Sequence, residues 1–342
     1  MKRELNAGII GAGRIGRLHA RHLNTRIADI RVKAVSDVIV KAAEECVVEL
    51  GIPEYHNDYH KLLEDPLIDM VFICSSTDSH ATIMEEAARA GKHIFCEKPI
   101  ALDLNEIDRA LEAVQTSGVK LQIGFNRRFD SNYRRIRDMI AAGELGEPHI
   151  LKITSRDPAP PPVEYVKVSG GIFLDMMIHD FDMARFLIGD EVEEVYALGS
   201  VKVDPEIGEA GDVDTALVTL TFKNGVLGSI DNSRRAVYGY DQRAEVFGSR
   251  GMARSDNNTP NRVQLSGPER VSEDLPLNFF MERYVDSYID EVAQFIRCVQ
   301  EDTPSPVSGK DGKYPVVMGL AAKKSLAEHR PVKLTEIAPA LE

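Results

Sequence analysis

Gly8-Ile9-Ile10-Gly11-Ala12-Gly13-Arg14-Ile15-Gly16 runs an apolar strand straight into G-x-G-x-x-G, and Asp37 stands twenty-one residues beyond the last of these glycines. Each residue type in that stretch has a physical task. Gly11 permits the tight turn, Gly13 lets a pyrophosphate approach the backbone, and Gly16 lets the new helix pack closely on the strand. The helix opening at Arg14 and Ile15 aims free N–H groups at phosphate. Val32-Lys33-Ala34-Val35-Ser36-Asp37 reads as a second strand ending on a carboxylate, which can accept from both hydroxyls of an adenosine ribose and would repel a 2′-phosphate. Val38 follows, with no adjacent Arg to neutralise such a phosphate, so the cofactor expected is NAD rather than NADP.

Working outward, strand-like runs at Ala7–Ile10, Val32–Ser36, Met70–Cys74, His93–Cys96 and Leu121–Ile123 alternate with amphipathic segments. That rhythm predicts a doubly wound parallel sheet. Ligands of such sheets bind beyond the strand C-termini, which brings the loops Ser75-Ser76-Thr77-Asp78-Ser79-His80 and Glu97-Lys98-Pro99 to the cofactor cleft. Ser75, Thr77, His80, Glu97 and Lys98 are therefore expected to bind cofactor along with Gly11, Ala12, Gly13, Arg14, Ile15, Gly16 and Asp37.

Beyond Arg128 the texture changes. Apolar and β-branched runs at His149–Thr154, Val192–Val203, Asp214–Phe222, Val226–Ser233 and Arg243–Phe247, with turns such as Asn224-Gly225, predict a mostly antiparallel sheet. Helical patterns fall at Phe173–Leu187, Phe279–Val299 and Lys313–Glu328. The fold class expected is α/β, with an N-terminal Rossmann domain over 1–124 and a C-terminal α+β domain with an open sheet over 125–342. Asp157-Pro158-Ala159-Pro160-Pro161-Pro162 reads equally as a stiff connector or as a loop covering substrate.

The 342 residues allow two cores, and 43% hydrophobic content is ordinary for a globular protein. A net charge of -13 disfavours nucleic acid as a partner. The basic cluster Arg134-Arg135-x-Arg137 reads as a solvated helix face paired with Asp130 and Asp138. No apolar run reaches bilayer length, and no signal-peptide pattern precedes the first strand, so no membrane partner is expected. The four cysteines form no CxxC pair and are expected reduced, in a cytoplasm.

Gly170-Gly171-Ile172-Phe173-Leu174-Asp175-Met176-Met177-Ile178-His179-Asp180-Phe181-Asp182 sets polar residues into an apolar helix. Asp175 and His179, four apart, would share one helical face, and Asp182 extends the stripe. Phe173, Met176, Met177 and Phe181 are expected in the core, and Asp180 in a pair or in solvent. An Asp/His pair alone is more often structural, but a nicotinamide site needs a base for an alcohol proton, and His suits that role near neutrality. Lys98, held beside Pro99, could donate to the alcohol oxygen; it also reads simply as a surface lysine. His56 and His60 lack a glutamate or cysteine partner set, so no metal is expected.

GAGRIG, Cys96-Glu97-Lys98-Pro99, Gly124-Phe125-Asn126-Arg127-Arg128-Phe129-Asp130 and GG-x-x-x-D-x-x-x-H-D together resemble the Gfo/Idh/MocA family of NAD(P)-dependent oxidoreductases, over nearly the whole chain. The resemblance implies a catalytic trio of Lys98, Asp175 and His179, with His179 accepting the proton and Lys98 orienting the hydroxyl. It places Lys98, Arg127, Asp157, Asp175, His179, Asp182 and Tyr238 around a small-molecule polyol. The reaction it implies converts myo-inositol and NAD to the 2-keto inosose and NADH. Alternatives are the same chemistry on scyllo- or D-chiro-inositol or a cyclic aldose, or a non-catalytic NAD sensor. The family also implies a homo-oligomer, commonly a tetramer, built on the second sheet.

Overall fold

The computed structural model describes residues 3–339, which divide into two compact units: the chain up to Asn126 with Asp286–Tyr314, and Arg127–Val285 with the chain from Pro315 onward.

In the first unit, β1 (Leu5–Ile10), β2 (Ile30–Ser36), β3 (Glu54–His56), β4 (Met70–Ile73), β5 (His93–Glu97) and β6 (Leu121–Gly124) form a sheet in the order β3-β2-β1-β4-β5-β6, parallel throughout. The order reverses beside β1, where a doubly wound sheet opens its ligand crevice. Met70, Val71, Phe72 and Ile73 are wholly buried, as a strand covered on both faces requires. Helix Leu104–Ser117 starts where the Asp103 carboxylate accepts from the Asn105 and Glu106 N–H groups. It stops at Gly118, whose φ of 67° suits a residue without Cβ.

Helix Val285–Glu301 departs from the sequence reading. That reading gave one helix over Phe279–Val299 and assigned everything after 124 to the second domain. The structure has a short helix at Phe280–Arg283 and then Val285–Glu301, and 286–314 pack with the first unit. The cause is a long-range apolar face: Val292, Phe295 and Ile296 join the core of Leu5, Phe72 and Phe95, with the Phe295 ring 6.2 Å from Phe72 and 6.0 Å from Phe95.

In the second unit, the strands are β7 (Pro148–Arg156), β8 (Val192–Ser200), β9 (Thr215–Phe222), β10 (Leu227–Ser233), β11 (Asp241–Gly248), β12 (Gly251–Ser255), a separate hairpin of β13 (Gln264–Ser266) and β14 (Val271–Glu273), and β15 (Val332–Lys333). The main sheet runs β12-β11-β7-β10-β9-β8-β15; β7 and β10 are parallel and the other pairings antiparallel. Along β9, Ala216, Val218, Leu220 and Phe222 point into the core while Leu217 is 58% exposed on the other face. That outer face carries apolar residues in register. Ile150 stands opposite both Leu227 and Phe247, Phe247 opposite Met252, and Leu198 opposite Leu217.

The segment expected to be one helix over Phe173–Leu187 is also different. It begins as a π-helical turn, Ile172–Met176, closed by the Met177 N–H on the Ile172 carbonyl at 2.8 Å, and continues as an α-helix over Ile178–Ile188. Gly171, at φ 78°, sets the entry, and the Asp212 carboxylate accepts the Ile172 N–H. Asp175 lies on the π turn and His179 on the α-helix that follows it.

Candidate active site

The first unit holds the turn after β1 by close approach. Gly11 sits at φ 99°, and a Cβ there would lie 2.5 Å from the Cys74 carbonyl oxygen. A Cβ on Gly16 would fall 1.8 Å from the Gly11 carbonyl oxygen. Gly13, in contrast, has nothing within 4 Å of its Cβ position. The two outer glycines are thus required by the protein itself, while the middle one fronts open space at the N-terminus of helix Arg14–Thr25. Ala12 lies in this turn, and Arg14 and Ile15 open the helix that follows it.

Asp37 directly follows β2 and is half-buried. Its carboxylate accepts the Ala12 N–H at 2.7 Å and the Ile39 N–H at 2.8 Å, which ties the glycine turn to the end of the second strand. A cradle only glycine fits, a helix N-terminus and an acid at the second strand's end suit the pyrophosphate and ribose of NAD. These residues would hold the cofactor, which supplies a hydride acceptor when bound.

The loops beyond β4 and β5 are more strongly anchored than the sequence indicates. Ser75 Oγ pairs with Ser79 Oγ at 2.7 Å, and Thr77 opens helix Thr77–Arg89. His80 is buried, its ring nitrogens 2.8 Å from the Pro99 carbonyl and 3.0 Å from the Ser75 carbonyl, and burial pushes its pKa down. It tethers the cis Lys98–Pro99 step to the loop after β4. The Glu97 carboxylate meets buried His19 at 2.8 Å. Within the structure His80 and Glu97 therefore serve as anchors between elements.

In the second unit two expected polyol contacts lie in buried ion pairs. Arg127 donates to Asp180 at 2.6 Å and to the Tyr240 hydroxyl at 3.3 Å, and Asp180 also accepts from Asn232 at 2.9 Å. Asp182, 1% exposed, accepts three bonds from Arg128. The Tyr238 hydroxyl donates to Asp241 at 2.6 Å and accepts from Arg156 at 3.0 Å. Asp130, expected to pair along its own helix, caps helix Ser131–Ala141 and pairs with Arg283 at 2.6 Å.

A smaller set remains reachable. Among residues 171–185, all of them described, every one is buried except Asp175 and His179. Asp175 accepts from the Tyr165 hydroxyl at 3.0 Å and from Arg234 at 3.3 Å. Asp157 is half-buried just beyond β7, and desolvation pushes its carboxyl up to about 6, against the pull of Arg234 and with the push of Asp175. Asp157, Asp175 and Arg234 thus form one charged cluster. The sequence reading missed Arg234, Tyr165, Tyr240 and the Arg127–Asp180 pair; no spacing rule joins positions so far apart. Elsewhere, His60 pairs with Asp58 at 2.6 Å and His56 lies on β3.

Family profiles match both parts of the chain: "Oxidoreductase family, NAD-binding Rossmann fold" over residues 5–125 and "GFO/IDH/MocA C-terminal domain" over residues 133–254. The chain belongs to the Gfo/Idh/MocA oxidoreductase family. Within that family, the myo-inositol 2-dehydrogenase of Thermotoga maritima is 53% identical over 97% of this chain and 99% of its own length. The inositol 2-dehydrogenase of Rhizobium meliloti is 43% identical over 96% and 98%. A crystal structure of the myo-inositol dehydrogenase of Lactobacillus casei in complex with NAD(H) and myo-inositol superposes with a TM-score of 0.87, at 27% identity and 96% coverage of each chain. The Gfo/Idh/MocA assignment makes the N-terminal sheet an NAD-binding Rossmann domain. Among the described residues, no helix is long and apolar enough to cross a membrane.

Proposed function

We propose that this chain oxidises myo-inositol at C2 with NAD, giving the 2-keto inosose and NADH. The carrying observation is the paired exposure of Asp175 and His179 within a stretch otherwise wholly buried. Uncovering two polar side chains there is intelligible if they meet a ligand. Oxidation of a secondary alcohol removes a hydroxyl proton and a carbon-bound hydride. His179 takes the proton, Lys98 donates a hydrogen bond to the same oxygen as negative charge develops, and Asp175 orders their hydrogen bonds. Asp157 is assigned to a polyol hydroxyl, where a carboxyl titrating near neutrality can accept or donate. Arg127, Asp182 and Tyr238, having partners within the protein, are assigned to shaping the polyol site. The names of the relatives support inositol as the substrate.

The division of labour follows the two matched regions, with NAD assigned to 1–124 and, Lys98 apart, the polyol to the second unit. The in-register apolar residues Ile150, Leu227, Phe247 and Met252 give the outer sheet face a character suited to subunit contact, and we assign a homotetramer assembled through it. The four cysteines carry no disulfide, in keeping with a reducing cytoplasm.

The test is NADH absorbance with NAD and, in parallel, myo-inositol, scyllo-inositol, D-chiro-inositol and glucose at mildly alkaline pH. Fast reduction with myo-inositol is expected. Turnover confined to another compound would move the substrate, and no turnover with any would favour an NAD sensor.

A further inference from the structure

Arg234 is among the largest wholly buried side chains of the molecule, at 1% exposure. Its backbone N–H donates to the Asp214 carbonyl at 2.9 Å directly after β10, so the main sheet fixes its starting point. Its Nη1 lies 3.3 Å from Asp175 Oδ2 and its Nη2 3.8 Å from Asp212 Oδ2, while Nε and Nη2 make no hydrogen bond among the described residues. Burying a guanidinium costs folding free energy unless charge and donors are both met, and here the charge is met while Nη1 alone has a hydrogen-bond partner among the described residues.

Of the two carboxylates that meet it, Asp212 holds the π turn from outside and Asp175 lies on it. Asp212 accepts the Ile172 N–H at 2.9 and 3.2 Å and crowds the Cβ position of Gly171, so it fixes where the turn begins. Asp175 is carried on that turn, and its other oxygen accepts from the Tyr165 hydroxyl at 3.0 Å. Arg234 grips Asp175 from the buried side and Tyr165 from the exposed side, which restrains the carboxylate at both oxygens.

We propose that Arg234 is a positioning residue for the reaction, locking the Asp175 carboxylate to the π turn without itself touching substrate. This rests on the role given to Asp175 above. Its buried donors lie out of a ligand's reach, so its effect passes through Asp175. It also bears on Asp157, whose surroundings include Arg234, Asp175, Arg127 and Asp180; without Arg234 the Asp157 carboxyl holds its proton to higher pH.

The experiment compares wild type with Arg234→Met, Arg234→Lys and Tyr165→Phe. It measures kcat and KM for myo-inositol, the Kd of NAD, the pH dependence of kcat and thermal unfolding. Misplacement of a reacting group by about 1 Å costs on the order of 10²-fold in rate, and a kcat loss of that order is expected for Arg234→Met. The acid limb of its pH profile should move to higher pH, and the Kd of NAD should stay unchanged. Arg234→Lys should recover much of the kcat and return the limb. Tyr165→Phe, changed at a half-exposed position, should lower kcat less and leave unfolding unaltered. A folded Arg234→Met with wild-type kcat and pH profile overturns the inference, as does a loss that Lys does not relieve. If the Arg234 variants fail to fold, unchanged kcat in Tyr165→Phe overturns it. No wild-type turnover with any inositol overturns instead the functional reading, and this inference with it.

Discussion

The turn after β1 and the π turn at Ile172–Met176 solve the same problem, holding a ligand-facing segment in a defined shape, with different materials. In the first unit the shape is set by what is missing. A Cβ on Gly11 or Gly16 would strike main-chain atoms, and the charged groups that hold the turn, Asp37 on backbone N–H groups and Arg17 on the Ala12 carbonyl, bind main chain. In the second unit the shape is set by charge. Asp212 fixes the start of the turn, Arg234 spans Asp212 and Asp175, and Arg127–Asp180 and Arg128–Asp182 lie buried nearby in the chain. A site built from backbone resists variation at a few glycines, whereas one built from buried ion pairs can be retuned one side chain at a time. That difference suits a cofactor that stays the same and a substrate that varies between relatives.

The largest expected effects fall on chemistry in the second unit. General acid–base catalysis contributes about 10²–10⁴-fold, so His179→Ala should lower kcat by that order while the Kd of NAD by calorimetry is unchanged. Lys98→Ala should behave alike, although Lys98 lies in the unit that binds NAD. Loss of NAD binding in both would make them structural and erase the contrast.

Gly16→Ala tests the backbone side. With a Cβ placed 1.8 Å from a carbonyl oxygen, the turn must move, and the Kd of NAD should rise while KM for inositol at saturating NAD changes little. Normal NAD affinity in this variant would show that the turn is pliable.

Asp37→Ser comes next. Hydrogen bonds to a charged group are worth about 1.5–3 kcal/mol, so the Kd of NAD should rise by roughly tenfold or more, and the NAD-over-NADP ratio should fall. Adding a basic residue at Val38 should lower that ratio further. Equal use of both cofactors by the wild type would refute the reading of Asp37.

The smallest effect concerns Asp157. Its carboxyl titrates at about 6 in the folded chain against about 3.8 to 3.9 when unfolded, so the folded state binds more protons between those values and stability falls as pH rises through that window. Asp157→Asn should therefore unfold at a higher temperature than wild type above pH ~6, with the gap shrinking towards pH ~4. A gap independent of pH would mean that desolvation does not govern this acid.

Legibility in the sequence follows the same divide. The strands β1, β2 and β4 to β6, the glycine turn and the acid at the end of β2 each leave a local mark, because glycine position and apolar runs are written residue by residue. Helix Val285–Glu301 was legible as a helix but not as part of the first unit, since its partners Phe72 and Phe95 lie some two hundred residues earlier. Short edge strands such as β3 and β15 gave no apolar run to read. At the candidate site, Asp175 and His179 stand out as polar residues in an apolar run, but the π turn that carries Asp175 leaves no local mark, because its start is held by Asp212, forty residues away. Asp182 reads in sequence as part of the polyol-facing stripe, yet Arg128 takes its carboxylate across fifty-four positions. Arg234 gave no signal because its meaning lies wholly in what surrounds it.

The most direct measurement supplies myo-inositol deuterated at C2 together with NAD and follows both the rate and the mass of the reduced cofactor. The account predicts NADH heavier by one mass unit, formed with the inosose carbonyl at C2. Unlabelled NADH would place the oxidation at another carbon, and no reduced cofactor at all would contradict the dehydrogenase reading itself.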